Sequence, residues 1–356
     1  MRRERISIVW VVVSLCLMGW SSGCLDEGET LPGGSATPTE TPWIEIYFTN
    51  PKSPTAASYR GGPDKTLAEA IDQARLSVDM AAYDLNLWSL RDALLRAAKR
   101  GVTVRMVTDS DNLDEPEIQD LIDANIPVLG DRREGLMHNK FVVIDRAEVW
   151  TGSMNFTTSE AYLNNNNLVR IRSTRLAENY TTEFNEMFED DLFGPAVRCQ
   201  TPHPQLEING ITLETYFSPD DGAARRLVAL IQQAEQSLYF LAYSFTADDL
   251  ADAMIERANA GVVVAGVMEE TQVQSNVGSD YERLRQAGLD IRLDGNPRNM
   301  HHKVMIIDEA IVVTGSYNFS ASAEKYNDEN TLVIHDAAAT AQFLAEFKEI
   351  YKDGHR

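Results

Sequence analysis

A series of segments in the first half of the chain returns, in the same order, in the second half, and this constrains the fold more than any single motif. YFTNP at Tyr47 is answered by YFSPD at Tyr216, and SVDMAAYDL from Ser77 by SLYFLAYSF from Ser237. DALLRAAKRGVTVRMV from Asp92 reappears as DAMIERANAGVVVAGV from Asp252, and MHNKFVVID from Met137 as MHHKVMIID from Met300. One matching pair of amphipathic stretches arises by chance, but an ordered series does not. The folded part is therefore two copies of one unit. The 356 residues have room for both, each with its own core.

Within each copy, apolar residues three and four apart alternate with short apolar runs. TLAEAIDQAR, LRDALLRAAKR and EPEIQDLIDA carry the helical period, while VTVRMV, KFVVID and LVRIR read as buried strands. The pattern predicts an α/β fold of two pseudo-symmetric lobes, each a mixed, mostly parallel sheet flanked by helices. The first lobe is expected over residues 43–194 and the second over 211–356, with a Pro- and Gly-rich linker at 195–210 that includes Cys199.

The repeated segment carries the chemistry. In the first half it reads HNKFVVIDRAEVWTGSMNFT, with His138, Lys140, Asp145, Ser153 and Asn155; in the second, HHKVMIIDEAIVVTGSYNFS, with His301, Lys303, Asp308, Ser316 and Asn318. Side chains two apart on a strand share a face, so each His and its Lys are expected to point at one site, with His302 on the opposite face in a structural role. An imidazole can attack or move a proton, and an ammonium beside it can hold an anionic oxygen. Neither pair has the ligand types or spacing of a metal site, and no cofactor is implied. Asp145 and Asp308 fall an odd number of residues after each Lys and are expected to brace the fold. His203, His335 and His355 have no partner at a recognisable spacing and read as surface or linker residues. Arg132, Arg133 and Arg298 precede the motifs and are candidates to ring the mouth of the site, and Tyr83 and Tyr243 to line it.

These residues resemble the phospholipase D superfamily, whose signature is HxKxxxxD followed by GSxN, and the resemblance runs from about Trp43 to Lys352. It implies one active site at the interface of the lobes and metal-free cleavage of phosphodiesters in two displacements through a phosphohistidine. By family analogy His138 is the nucleophile and His301 the acid and then the base. Lys140, Lys303 and the amides of Asn155 and Asn318 grip the phosphoryl oxygens, with Ser153 and Ser316 in support. The family also places an acid near Glu329 to hold a catalytic His, with the pairs crossing between lobes: Glu329 would serve His138. Asn166 occupies the equivalent place in the first half and would serve His301. The alternative is that a nearby acid, Glu160 or Asp328, supplies the missing carboxylate.

The N-terminal segment reads as an address. Arg2, Arg3 and Arg5 precede an apolar run from Ile6 to Met18, too short to span a bilayer, so residues 1–23 are expected to be a cleaved signal peptide. Ser21–Ser22–Gly23 before Cys24 resembles a lipobox, which makes Cys24 the expected lipid attachment site and residues 24–42 a flexible tether. The expected location is the cell envelope, anchored in a membrane or otherwise free after export.

With 32 Lys and Arg against 54 Asp and Glu, the formal charge is −22, and loss of residues 1–23 makes it more negative still. This argues against a protein that coats nucleic acid through a broad basic surface, while a local basic site can still sit inside an acidic shell. Three readings of the substrate follow. A phospholipid hydrolase releasing phosphatidate fits export and an anchor. A nuclease fits the small size of each lobe, which leaves little room for lipid-gripping loops. A phosphate-binding module without activity would leave two complete motifs unexplained. Both half-sites lie in one chain, so a monomer is expected to suffice.

Overall fold

The computed structural model describes residues 42–198 and 200–356; the expected signal peptide, Cys24, nearly all of the tether, and Cys199 lie outside them. Residues 42–356 form one unit. The first lobe is built on β1 (Ile44–Phe48), β2 (Ser77–Ala82), β3 (Thr103–Thr108), β4 (Val128–Gly130), β5 (Lys140–Ile144), β6 (Glu148–Gly152) and β7 (Asn167–Arg172), in the sheet order β1-β7-β6-β5-β2-β3-β4. The second lobe has β8 (Gln205–Ile208), β9 (Ile211–Ser218), β10 (Ser237–Ala242), β11 (Phe245–Thr246), β12 (Val263–Met268), β13 (Asp290–Leu293), β14 (Lys303–Ile307), β15 (Ile311–Gly315), β16 (Phe319–Ser320) and β17 (Glu329–Ile334). Its large sheet, β13-β12-β10-β14-β15-β17-β9-β8, repeats the order of the first with one added edge strand; β11 and β16 pair separately.

Both large sheets are mixed, but the expected predominance of parallel strands is incorrect. Only β2-β3-β4 and β10-β12-β13 run parallel; the other neighbours in both large sheets are antiparallel. The reason is local: KFVVID and EVWTG are joined by a tight turn, which can connect only antiparallel strands, whereas each parallel pair is joined by a crossover that contains a helix. The stretch expected as linker, 195–210, also holds structure. Gln205–Ile208 pairs with Ile211 onward through a tight turn at Asn209–Gly210, both at positive φ, so the second sheet starts before residue 211.

The motif strands are buried on both faces. In β5, Phe141 and Val143 join an apolar cluster shared by both lobes, while Val142 and Ile144 face the outer core of the first lobe. In β14, Val304 and Ile306 take the shared side and Met305 and Ile307 the outer one. The shared cluster also contains one face each of the helices Thr174–Phe188 and Ala337–Asp353. Each fully buried aliphatic or aromatic side chain adds roughly 1.5–3 kcal/mol, so the two lobes are held together by a core and not by a hinge.

Asp145 and Asp308 sit at equivalent turns, each at positive φ and followed by a second such residue. The Asp145 carboxylate accepts from the backbone N–H groups of Arg75, Leu76 and Ser77 at 2.6–3.1 Å, and that of Asp308 from Glu235, Gln236 and Ser237 at 2.7–2.9 Å. Each thereby ties its hairpin to the segment entering β2 or β10. The backbone donors outweigh burial and hold the Asp308 carboxyl below its ordinary range.

Candidate active site

Two exchanges of backbone between the lobes create the site. His138 donates its backbone N–H to the Asp328 carbonyl, and His301 donates to that of Asn165, at 3.0 and 2.9 Å. Each motif His is thereby set against the segment that begins β17 or β7 in the other lobe. Glycine is required beside both crossings. A Cβ on Gly152 would lie 2.4 Å from the Asn167 carbonyl oxygen, and one on Gly315 would lie 2.2 Å from that of Asn330. The Gly of each GSxN therefore lets the neighbouring strand approach, and the Ser after it reaches across: Ser153 Oγ donates to Asn166 Oδ1 at 2.9 Å and Ser316 Oγ to Glu329 Oε2 at 2.6 Å.

The pairing of His138 with Glu329 crosses the lobes, its Nδ1 lying 2.9 and 2.8 Å from the two carboxylate oxygens. His301 Nδ1 has two acceptors, Asn166 Oδ1 at 3.0 Å and Glu160 Oε2 at 3.1 Å. Asn166 also donates through Nδ2 to Glu160, at 2.5 Å, so amide and carboxylate form one unit around the ring. The half that has Asn in place of Glu329 thus acquires its carboxylate from Glu160, on the short helix Thr158–Tyr162. Asp328 does not fill this role: it is bound by Arg133 and by the Gly194 N–H.

The lysines are buried too. Lys140 Nζ donates to the His138 carbonyl at 2.7 Å and Lys303 Nζ to the His301 carbonyl at 2.8 Å. Each lies over a tyrosine ring, Lys140 at 5.2 Å from the Tyr83 centroid and Lys303 at 4.8 Å from that of Tyr243. The same rings stand edge-on to His138 and His301, at 5.1 and 4.5 Å. Asn155 donates to Glu160 at 3.3 Å, and the buried side-chain oxygens of Asn155 and Asn318 have no hydrogen-bond partner.

Burial and crowding of positive charge decide the protonation states. Burial pulls Lys140 down to about 8 against the opposing pull of Glu329 and Glu160; burial and Lys140 together hold Lys303 well below its ordinary range. Burial lowers His138 despite Glu329, and takes His301 to about 4 despite Glu160. Glu160 would be raised by its own burial, but His301, Asn166 and Lys303 bring it down to about 2. The charge of each Lys is felt by the His of the other half, so the two half-sites form one electrostatic unit. Such a cluster favours an anion, whose charge lets the cationic forms exist together.

Of the arginines expected at the mouth, Arg133 has another role. Arg133 is an interlobe clamp, bonded to the carbonyls of Tyr326 and Leu136 and to the Asp328 carboxylate. Arg132 is exposed and pairs with Asp191, and exposed Arg298 borders a cavity of about 840 Å³ that also includes Phe48, Leu163 and Glu346. The histidines read as surface residues each meet a carboxylate, His203 with Glu178, His335 with Glu214 and His355 with Glu270. No motif announces Glu160 as the partner of His301. Its only signal was the missing acid at position 166.

Comparison with known proteins gives a consistent picture. The family model described as "Cardiolipin synthase, PLD-like domain" matches residues 67–188 and again residues 227–351. A phospholipase D of Rickettsia prowazekii (strain Madrid E) is 34% identical over 138 residues, 39% of this chain and 67% of its own length. A mitochondrial cardiolipin hydrolase of Chlamydomonas reinhardtii is 32% identical over 135 residues, 38% of this chain and 60% of its own length. The crystal structure of phosphatidylserine synthase from Haemophilus influenzae Rd KW20 matches 87% of this chain and 86% of its own, with a TM-score of 0.66 at 15% identity, so its fold resembles both lobes together.

Proposed function

We infer the reaction from one premise: this chain belongs to the phospholipase D superfamily, carries its domain twice, and is a phosphodiesterase of that class. The observation that carries the mechanism is the pair of buried His–Lys units, each His backed at Nδ1 by a carboxylate from the opposite lobe. With Nδ1–H held by the carboxylate, Nε2 carries the free lone pair, so either imidazole can act as nucleophile or base.

In the proposed sequence His138 Nε2 attacks phosphorus as the bond to the leaving oxygen breaks and His301 delivers its proton to that oxygen. The alcohol departs. His301, now neutral, takes a proton from water; the hydroxyl attacks phosphorus, the N–P bond breaks and His138 is regenerated. Lys140, Lys303 and the amides of Asn155 and Asn318 hold the phosphoryl oxygens as charge shifts among them. No step requires a metal.

Phospholipid is the proposed substrate, hydrolysed to phosphatidate and a head-group alcohol. The family description, the two relatives' names and the acidic charge of the chain support it over a nucleic acid. Export and anchoring through Cys24 belong to the same reading, and Cys24→Ser should abolish membrane partition. The test of the reaction uses purified protein in EDTA, offered vesicles of phosphatidylcholine, phosphatidylethanolamine or cardiolipin beside supercoiled plasmid. Head-group release, diverted to a phosphatidyl alcohol by a primary alcohol, and lost in His138→Ala and His301→Ala, is expected. Plasmid nicking without lipid turnover assigns the site to a nuclease. Activity that returns only with a divalent ion overturns the mechanism.

A further inference from the structure

Behind the reacting groups lies a second layer with the same pseudo-symmetry. The middle residue of each HxK, Asn139 or His302, is fully buried and faces away from its His and Lys. Each receives a hydrogen bond from an Asn of the other lobe: Asn330 Nδ2 donates to Asn139 Oδ1 at 2.9 Å, and Asn167 Nδ2 lies 3.0 Å from His302 Nδ1. The two bridging asparagines are gripped at the other end as well. Thr151 Oγ1 donates to Asn330 Oδ1 and Thr314 Oγ1 to Asn167 Oδ1, both at 2.7 Å.

Asn167 directly follows the residue that touches His301. Its backbone N–H donates to Ser153 Oγ at 3.1 Å, and Ser153 in turn donates to Asn166 Oδ1, which faces His301 Nδ1. Ser153 fixes which way the Asn167 amide points: the hydroxyl proton goes to Asn166 Oδ1, so the amide atom 3.3 Å from Ser153 Oγ is the donating nitrogen, which also faces His302, and the amide oxygen is left to accept from Thr314. His302 Nδ1 must then be an acceptor, and the ring proton sits on Nε2, which faces Glu346 Oε1 at 3.4 Å.

We propose that His302 is a positioning residue for His301, acting as the neutral imidazole with its proton on Nε2 to lock Asn167 and, through Ser153 and Asn166, the orientation of the His301 ring. It touches no reacting atom. Its Nδ1 stands at the same number of bonds from the backbone as the Asn139 Oδ1 that does the same for His138, so the two halves use different residues for one acceptor. The inference rests on the reading that His301 takes part in the reaction.

The test compares His302→Asn, His302→Leu, Thr314→Val and His301→Ala in the full chain, measuring kcat and KM on a p-nitrophenyl phosphodiester and on an alkyl one. His302→Leu removes the acceptor and should lower kcat on the alkyl substrate about tenfold to a hundredfold with KM little changed, and first-turnover p-nitrophenolate release far less, because a displaced general acid loses rate and not affinity. His302→Asn copies the other half and should recover most of that loss; Thr314→Val frees the Asn167 amide and should fall between. Nitrogen NMR of the wild-type protein should find His302 Nδ1 unprotonated, a measurement that stands even if His302→Leu fails to fold. A protonated Nδ1, an unchanged kcat in His302→Leu, or a His302→Asn variant no better than His302→Leu each overturns the proposal. Full activity in His301→Ala removes the catalytic reading beneath it instead.

Discussion

Glu160→Gln is the substitution that separates charge from geometry at His301. Gln keeps the shape, its amide oxygen can still accept from Asn166 and His301, and its NH2, which replaces the oxygen that accepts from Asn155, can donate to the unpartnered Asn155 Oδ1 once that amide turns. Asn166 Oδ1 still holds Nδ1–H, so the tautomer survives and the main loss is the negative charge. That charge lies 3.1 Å from His301 Nδ1. Coulomb's law at an effective dielectric constant of about 20 gives roughly 5 kcal/mol as an upper figure for its support of the imidazolium. Neighbouring opposite charges shift a pKa by about 1–3 units, or roughly 1.4–4 kcal/mol, and neither partner is exposed enough for solvent to weaken this further. A general acid destabilised by that amount should slow release of an alkyl alcohol about tenfold to a thousandfold. A p-nitrophenolate leaves without needing a proton, so its release in the first turnover should be far less affected. Pre-steady-state release from the two substrates is the assay. An equal loss on both would make His301 the nucleophile, and no loss on either would make Glu160 a structural residue.

A carboxylate returned to the position equivalent to Glu329 should replace the one at 160: Asn166→Glu in a Glu160→Ala background is expected to regain most of the activity that Glu160→Ala loses, measured as kcat on the alkyl substrate. Lys140, lowered to about 8 by burial, loses its ammonium as pH rises through that value. The kcat/KM profile should therefore fall above about pH 8, and the kcat profile at higher pH because the bound anion favours the charged form. Asp308→Asn should cost about 1–3 kcal/mol in denaturant unfolding, with kcat unchanged, because three backbone donors lose a charged acceptor. Since folding lowers this carboxyl, its contribution is present above the unfolded pKa and is lost as pH falls through the folded one.

Much of this site is written in spacing, and spacing is visible in a sequence. HxK and GSxN survive twice because a strand, a tight turn and a close backbone approach fix where those side chains stand, and the duplication makes each copy a check on the other. The crossing of Glu329 to His138 came from family resemblance, since no local pattern relates residues 191 positions apart. Sheet direction was misread for a local reason: helical periods dominate a scan for alternation, and the short DRA and DEA turns that force β5 and β14 antiparallel to their successors occupy only a few residues. Arg133 was misplaced because a basic residue near a phosphate motif reads as a ligand until its partner Asp328, in the other lobe, is seen. Glu160 stands in the sequence only as one of two alternatives, beside Asp328, because it acts from a helix, where its distance from Asn155 along the chain says nothing about the ring it meets.

Joining two copies in one chain removes the requirement that they stay alike. In a symmetric dimer each His would meet the same acid from the partner, and any change would occur twice. Here the place of Glu329 is taken by Asn166 in the first half, and Glu160, five residues after Asn155, is matched by Ala323, five after Asn318. The second layer differs likewise, Asn139 against His302. These differences offset one another where it matters: each motif His keeps one carboxylate at Nδ1 and each bridging Asn keeps one acceptor. What changes is how each function is supplied. Glu329 presents both oxygens to His138, whereas His301 shares its proton between a carboxylate and an amide that are bonded to each other. The first arrangement suits an imidazole that must remain fixed and cationic while bonded to phosphorus. The second suits one that must gain and lose a proton within a turnover, because the Asn166 amide keeps the ring in place while Glu160 answers its change of charge.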